Sequence, residues 1–304
     1  MNRAVPLPLT PDHFGNALTM AASQSAGSQA GTGRRVTTAA GELAVREAGQ
    51  GTVPLLLWHG LYAEASMFEP LLKHLAPDYR LLLISAPGHG ESGPPTFPLS
   101  SAMSGAAVLA VLDAFGLERA AVVGCSWGGI AGLQAAFQAP HRISAVAAFN
   151  TPFGPGTSDF GTRGIVWLTG ALGNTAFFGR RVASGFFSRR TRAQKPDVIQ
   201  QFVAAFPGRA PRALQAAARA VLIERESLLP LLPKLEVPVL VVSGAEDTRY
   251  PTAETQEIAR RIPRARFLTV EDSAHLTPLE QPEITARLVR ELVAPTVSAA
   301  ASGQ

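Results

Sequence analysis

Short, almost wholly apolar runs recur along this 304-residue chain, with room for a helix between most of them. "VPLLLWHG", "YRLLLIS", "AAVVGC", "ISAVAAFN" and "VPVLVVSG" lack polar alternation, as expected of strands buried on both faces. Between them stand stretches with helical spacing. They include "SMFEPLLKHLA", "SSAMSGAAVLAVLDAFG" with Gly116 as its stop, and "WGGIAGLQAAFQAP" ended by Pro140. "ELAVREAG" alternates and reads as an early antiparallel strand. Strand–helix alternation of this kind requires a mostly parallel central sheet flanked by helices, the α/β class. In such sheets functional residues gather at the carboxyl ends of the strands.

The rhythm breaks between Thr151 and about Pro233, where the chain is rich in Gly, Arg and Phe and shows helical pieces without a convincing strand. It resumes with "VPVLVVSG", "TAETQEIARRIP", "ARFLTVED" and "PEITARLVRELV". The expected organisation is a core of residues 34–151 and 234–294 with a helical cap insertion over 152–233. A flexible N-terminal arm (1–33) and a flexible C-terminal tail (295–304) flank it, both without periodicity. A hydrophobic content of 46% is enough for one large core.

Composition narrows the partners. Net charge is +4 and no Lys/Arg block is interleaved with aromatics, which argues against nucleic acid. The single cysteine, Cys125, allows no intrachain disulfide and no cysteine-based metal site. No segment approaches the ~18 apolar residues of a membrane span. The N-terminus lacks a signal-peptide core, because prolines, Asp12 and His13 interrupt it. A soluble cytoplasmic protein without metal or organic cofactor is expected.

Gly124-Cys125-Ser126-Trp127-Gly128 matches G-x-S-x-G, with a strand before it and a helix after it. A strand that reverses sharply into a helix brings its backbones too close for side chains, so glycine fits at both flanks. The serine at the apex is held strained and outward. A serine needs a base, and the base an orienter. In this architecture they follow in the order Ser, Asp/Glu, His. "VVSGAEDTRYP" places Asp247 after a buried strand, with Glu246 beside it as the rival acid. "VEDSAHLTPLEQP" places His275 after the next strand. His13, His74, His89 and His141 have no comparable position, and His59 is expected to support its loop. The backbone N–H groups of Trp127 and Leu61 are the expected oxyanion donors.

These motifs resemble the α/β-hydrolase superfamily over roughly residues 37–293. "WHGLYAEASMF" is similar to its oxyanion loop, "GCSWGG" to its elbow, "SGAEDTRYP" to its acid loop and "DSAHLTPLEQPE" to its histidine loop. The resemblance implies the α/β-hydrolase fold with a helical cap, and Ser126, Asp247 and His275 as a triad. One departure is Ser85 in "LLLISAPGHGES", where relatives usually carry an aspartate. The serine argues against haloalkane dehalogenases and epoxide hydrolases, which use an aspartate nucleophile. The elbow region is distantly similar to intracellular polyhydroxyalkanoate depolymerases and to the hydroxyacyl acyltransferase of rhamnolipid synthesis.

The implied reaction is cleavage of a carboxylic ester or lactone with an apolar acyl or aromatic part. Transfer of an acyl or hydroxyacyl group from a thioester to an alcohol is one alternative; a non-catalytic ligand-binding protein of the same fold is another. Tyr62, Phe153, Trp167 and Leu276 are the expected substrate contacts. Arg180, Arg181, Arg189, Arg190, Arg192 and Lys195 make the insertion basic. A solvated face accounts for them; the sharper reading is recruitment of an acidic substrate group or an acyl carrier.

Overall fold

The computed structural model describes residues 33–301. The expected N-terminal arm lies outside the described residues, apart from Gly33, which begins the first strand. Eight strands form one sheet: β1 (Gly33–Thr38), β2 (Gly41–Ala48), β3 (Val53–Trp58), β4 (Tyr79–Ile84), β5 (Ala120–Cys125), β6 (Ile143–Phe149), β7 (Val239–Gly244) and β8 (Ala265–Val270). Their order is β1-β2-β4-β3-β5-β6-β7-β8. β1 and β2 pair antiparallel, β2 meets β4 antiparallel, and every other neighbour is parallel. The all-apolar runs occupy the centre, where β5 and β7 are buried along their whole length. "ELAVREA" keeps its alternation at the antiparallel margin.

The helices of the core are α1 (Glu69–Leu75), α2 (Ser101–Ala114) and α3 (Trp127–Gln138). Between β6 and β7 five helices intervene: α4 (Phe160–Leu172), α5 (Ala176–Phe186), α6 (Arg189–Gln194), α7 (Pro196–Ala204) and α8 (Pro211–Leu222). Three of them start at a side-chain cap: Asp159, Thr175 and Ser188 accept from the amides of Thr162, Phe178 and Thr191. Each such cap contributes about 1 kcal/mol. The chain then continues through α9 (Thr252–Ala259), α10 (Thr277–Glu280) and α11 (Pro282–Ala301). α11 passes through Pro295 into the stretch read from sequence as a tail. The Val-Ser-Ala-Ala-Ala run after the proline includes strong helix formers, which favours that continuation. Among the described residues no helix is long and apolar enough to cross a membrane.

β5 turns into α3 with no intervening loop, and this sets the position of Ser126. The serine adopts φ 53° and ψ −110°, a region that L-residues avoid. Its amide donates to the Phe149 carbonyl at 2.8 Å, so the neighbouring strand holds the strained turn. A Cβ on Gly124 would overlap the Gly128 carbonyl, and one on Gly128 would overlap the Trp58 carbonyl oxygen. Glycine is therefore required by close approach at both flanks. Gly128→Ala is expected to cost about 3 kcal/mol or more, read as a lower urea midpoint at unchanged m-value. Gly164→Ala, with nothing within 4 Å of the added carbon, should instead gain up to about 1 kcal/mol.

Candidate active site

Three strand ends supply the site. Asp247 follows β7, His275 follows β8, and Ser126 follows β5. The imidazole Nδ1 of His275 lies 2.9 Å from Asp247 Oδ2. A carboxylate can only accept, so Nδ1 carries a proton, and in the neutral ring Nε2 is the nitrogen that keeps a lone pair. Ser126 and His275 both line one cavity of about 760 Å³. Of the two adjacent acids only Asp247 meets the imidazole. Glu246 turns away and accepts from the Arg189 amide at 2.9 Å.

Asp247 is held from three sides. Its Oδ2 also accepts from Asn150 Nδ2 at 3.0 Å, and its Oδ1 from the Arg249 amide at 3.0 Å. Burial pushes its pKa up. The charge and hydrogen bond of His275, together with the Arg249 and Asn150 donors, outweigh burial and hold it below the usual carboxylate range. Asn150 is itself at φ 49° just beyond β6. It donates to the Ala274 carbonyl at 2.9 Å and accepts from Thr277 Oγ1 at 2.7 Å, so it ties the acid to the histidine loop.

A second buried carboxylate fixes that loop from behind. Glu280 accepts from the Ala274 amide and from the Ser188 amide, each at 2.7 Å. The His275 amide donates to the Phe186 carbonyl at 3.0 Å. Asn150 escapes sequence reasoning because its partners are distant in the chain, and Glu280 because one of its two, Ser188, is. The only local hint is the spacing of Glu280 within "AHLTPLEQP".

The loop after β3 carries Leu61, which faces the cavity. Among the described residues the Leu61 amide has no hydrogen-bond acceptor. The Trp127 amide opens α3, where first-turn amides lack intrahelical carbonyls. Two buried histidines brace this region. His59 donates from Nδ1 to the Gly60 carbonyl (2.7 Å) and accepts at Nε2 from the Ala86 amide (2.8 Å). His89 accepts at Nε2 from the Tyr62 amide (3.1 Å), with Nδ1 on the Pro87 carbonyl at 3.0 Å. Ser85 sits in the same region. Its carbonyl accepts from Ser92 Oγ (2.7 Å), and Ser92 Oγ in turn accepts from the Ala44 amide (2.8 Å).

The cavity is mostly apolar. Tyr62 and Phe153 line it, as do Phe178 and Phe186 from α5. Two expected contacts do not. Trp167 is 65% exposed and is not among the lining residues. Ile165, Leu168 and Leu172 form the lining stripe of α4, and helical geometry turns Trp167 off that stripe. Leu276 is fully buried and is likewise absent from the wall. The basic residues of the insertion divide. Arg189, Arg190 and Lys195 are bound to Glu246, Asp272 and the Glu280 carbonyl. Arg181 lines the cavity. Among the described residues no cluster of three or more His, Cys, Asp or Glu could hold a metal.

The family model described as "alpha/beta hydrolase fold" matches residues 53–282. A pimeloyl-[acyl-carrier protein] methyl ester esterase from Xanthomonas campestris is 31% identical over 253 residues, covering 79% of this chain and 94% of that one. 3-Oxoadipate enol-lactonase 2 from Acinetobacter baylyi is 24% identical, covering 77% and 86%. Among solved structures, a thermophilic esterase from Thermogutta terrifontis superposes with a TM-score of 0.78 at 24% identity, over 87% of this chain and 99% of that one. That last likeness concerns the fold.

Burial lowers the pKa of His59 from 6.5 to about 4, and that of His89 also falls well below 6.5. Each is neutral when folded, while the unfolded chain binds their protons from about pH 6.5 downward. Their stability is fully present above pH 6.5 and is lost as pH falls towards 4. For His59 the loss amounts to roughly 3 kcal/mol. Urea unfolding at pH 7 and pH 4.5 should show it, and the pH difference should shrink in His59→Asn.

Proposed function

Since the chain belongs to the alpha/beta hydrolase fold family, we propose that it is a carboxylic-ester hydrolase working through an acyl-enzyme on Ser126. The observation that carries this is the His275–Asp247 bond of 2.9 Å beside the cavity that a strained Ser126 also lines. His275 Nε2 takes the hydroxyl proton as Ser126 Oγ attacks the ester carbonyl. Asp247 keeps the proton on Nδ1 and stabilises the imidazolium that forms. The amides of Leu61 and Trp127 stabilise the oxyanion, helped by the positive end of α3. His275 then protonates the leaving alkoxide and activates the water that releases the acid.

The insertion over 152–233 acts as the cap. Its aromatic and aliphatic side chains face the reacting centre and favour an apolar acyl or aromatic part. A lactone is an internal ester and uses the same machinery. Relatives that include a methyl ester esterase and an enol-lactonase support this breadth.

The test is turnover of a chain-length series of p-nitrophenyl esters. Ser126→Ala should lose roughly 10⁴-fold or more in kcat; turnover that survives the substitution would overturn the reading. Asn150 is a positioning residue. Asn150→Ala should lower kcat about tenfold with KM little changed. Because the Asn150 amide holds the Asp247 pKa down, its loss should move the acid limb of the pH–rate profile to higher pH.

A further inference from the structure

Three arginines line the cavity that holds Ser126 and His275: Arg181, Arg225 and Arg249. Glu254 is the one carboxylate among the lining residues. No ion pair among the described residues includes any of the three arginines. The site therefore presents a surplus of positive charge in a mostly apolar chamber. An apolar ester alone gains nothing from that charge.

Arg225 is the most constrained of the three. It is 9% exposed and follows α8. Its Nε, Nη1 and Nη2 donate to the carbonyls of Gly154 (2.9 Å), Val221 (2.6 Å) and Pro155 (2.9 Å). These bonds fix the fork, yet they supply no opposing charge, and a guanidinium has further N–H groups to offer. A buried cation without a counter-charge is costly to maintain. The Tyr250 hydroxyl lies against it: burial pushes that phenol up, and the charge and hydrogen bond of Arg225 oppose the push. The Tyr250 ring is 5.7 Å from the His275 ring.

Arg249 approaches from another side. Its guanidinium sits 4.7 Å above the Phe186 ring, which is 4.8 Å from the His275 ring. Each of these two cations thus contacts an aromatic residue that itself packs against the His275 ring. A purely structural role for Arg225 explains its carbonyl bonds. It leaves Arg249 and Arg181, both solvent-exposed at the cavity mouth, without an acidic partner.

We infer that the cavity takes an ester or lactone whose acyl part ends in a free carboxylate, selected by Arg225 and Arg249. The Arg249 guanidinium can meet a carboxylate in shape and charge, and Arg225, with most of its N–H groups committed, adds its charge and its remaining donor. The apolar wall then holds the chain between the two ends of the acyl part. This inference rests on the hydrolase reading above and narrows it to half-esters of dicarboxylic acids or carboxylated lactones.

The experiment compares monomethyl half-esters of dicarboxylic acids with the dimethyl esters of the same lengths, using the full chain. Wild type should prefer a half-ester of some length by roughly ten- to hundredfold in kcat/KM. Arg249→Ala should reduce that preference at least tenfold, chiefly through KM. Arg225→Met should do the same. If it fails to fold, Arg249→Ala and the doubly substituted Arg181→Ala, Arg249→Ala protein carry the test. Equal losses on the charged and neutral esters, or no half-ester preference at any length, would overturn the inference. Neutral-ester turnover that depends on Ser126 would leave the hydrolase reading standing in that event.

Discussion

The approach of α3 to β3 is the constraint on which the rest of the site depends. The α-carbon of Gly128 rests against the Trp58 carbonyl, and there is no room for a Cβ between them. The same approach brings Gly60 beside Ser126: a Cβ there would sit 3.0 Å from that of the serine. The elbow and the Leu61 loop are thus placed by backbone contact, without long side chains between them. Backbone contact is stiff, because close-packed interiors leave little space to relax into. The strain at Ser126, of order 1–3 kcal/mol, persists because buried β5 and α3 leave the turn no other path.

Around that contact, buried polar groups are satisfied by partners from distant parts of the chain. Asp247 joins the β7 end to the β6 end through Asn150 and to the β8 end through His275. Glu280 joins the histidine loop to the start of α6. On the other side, the Tyr62 hydroxyl meets Thr169 Oγ1 of α4 at 2.8 Å, and Arg209 Nη1 donates to the Tyr62 carbonyl at 2.9 Å. The inserted helices are therefore bonded to the Leu61 loop, the acid loop and the histidine loop. An insertion held in this way cannot swing as a free lid without breaking buried hydrogen bonds. Each such bond leaves an unsatisfied group worth about 1–3 kcal/mol. The cavity wall and the position of His275 share these bonds.

The sequence makes the centre of the sheet legible because strands buried on both faces must be apolar throughout; the edge strand β1 (GRRVTT), mostly exposed, carries no such signal and is not read from the sequence. It makes the elbow legible because close backbone approach demands glycine at fixed spacing. Asp247 could be preferred to Glu246 but not separated from it, since both stand in the same loop. Only the folded chain turns one towards His275 and the other towards Arg189. Trp167 misled because aromatic residues suggest a ligand wall, whereas the lining stripe of α4 is set by which face the helix presents. Asn150 and Arg225 were silent for a different reason. Apart from the Val221 carbonyl, four residues before Arg225, their partners lie far away in the chain, and no local pattern records such contacts.

The charge of the cavity follows from this same division of labour. Arg189, Arg190 and Arg209 each find a carboxylate, and so they fasten the insertion to the core. Arg225 binds three carbonyls and the Tyr250 hydroxyl, and Arg249 lies over an aromatic ring. Carbonyl dipoles and ring quadrupoles orient a guanidinium while leaving its net charge in place. The arginines paired with acids belong to the scaffold, and those held by neutral groups face the chamber. Met or Leu in place of Arg225 would leave three carbonyls without a donor, yet those carbonyls bring the buried cation no counter-charge. Retaining the cation makes physical sense when the missing anion enters with the substrate.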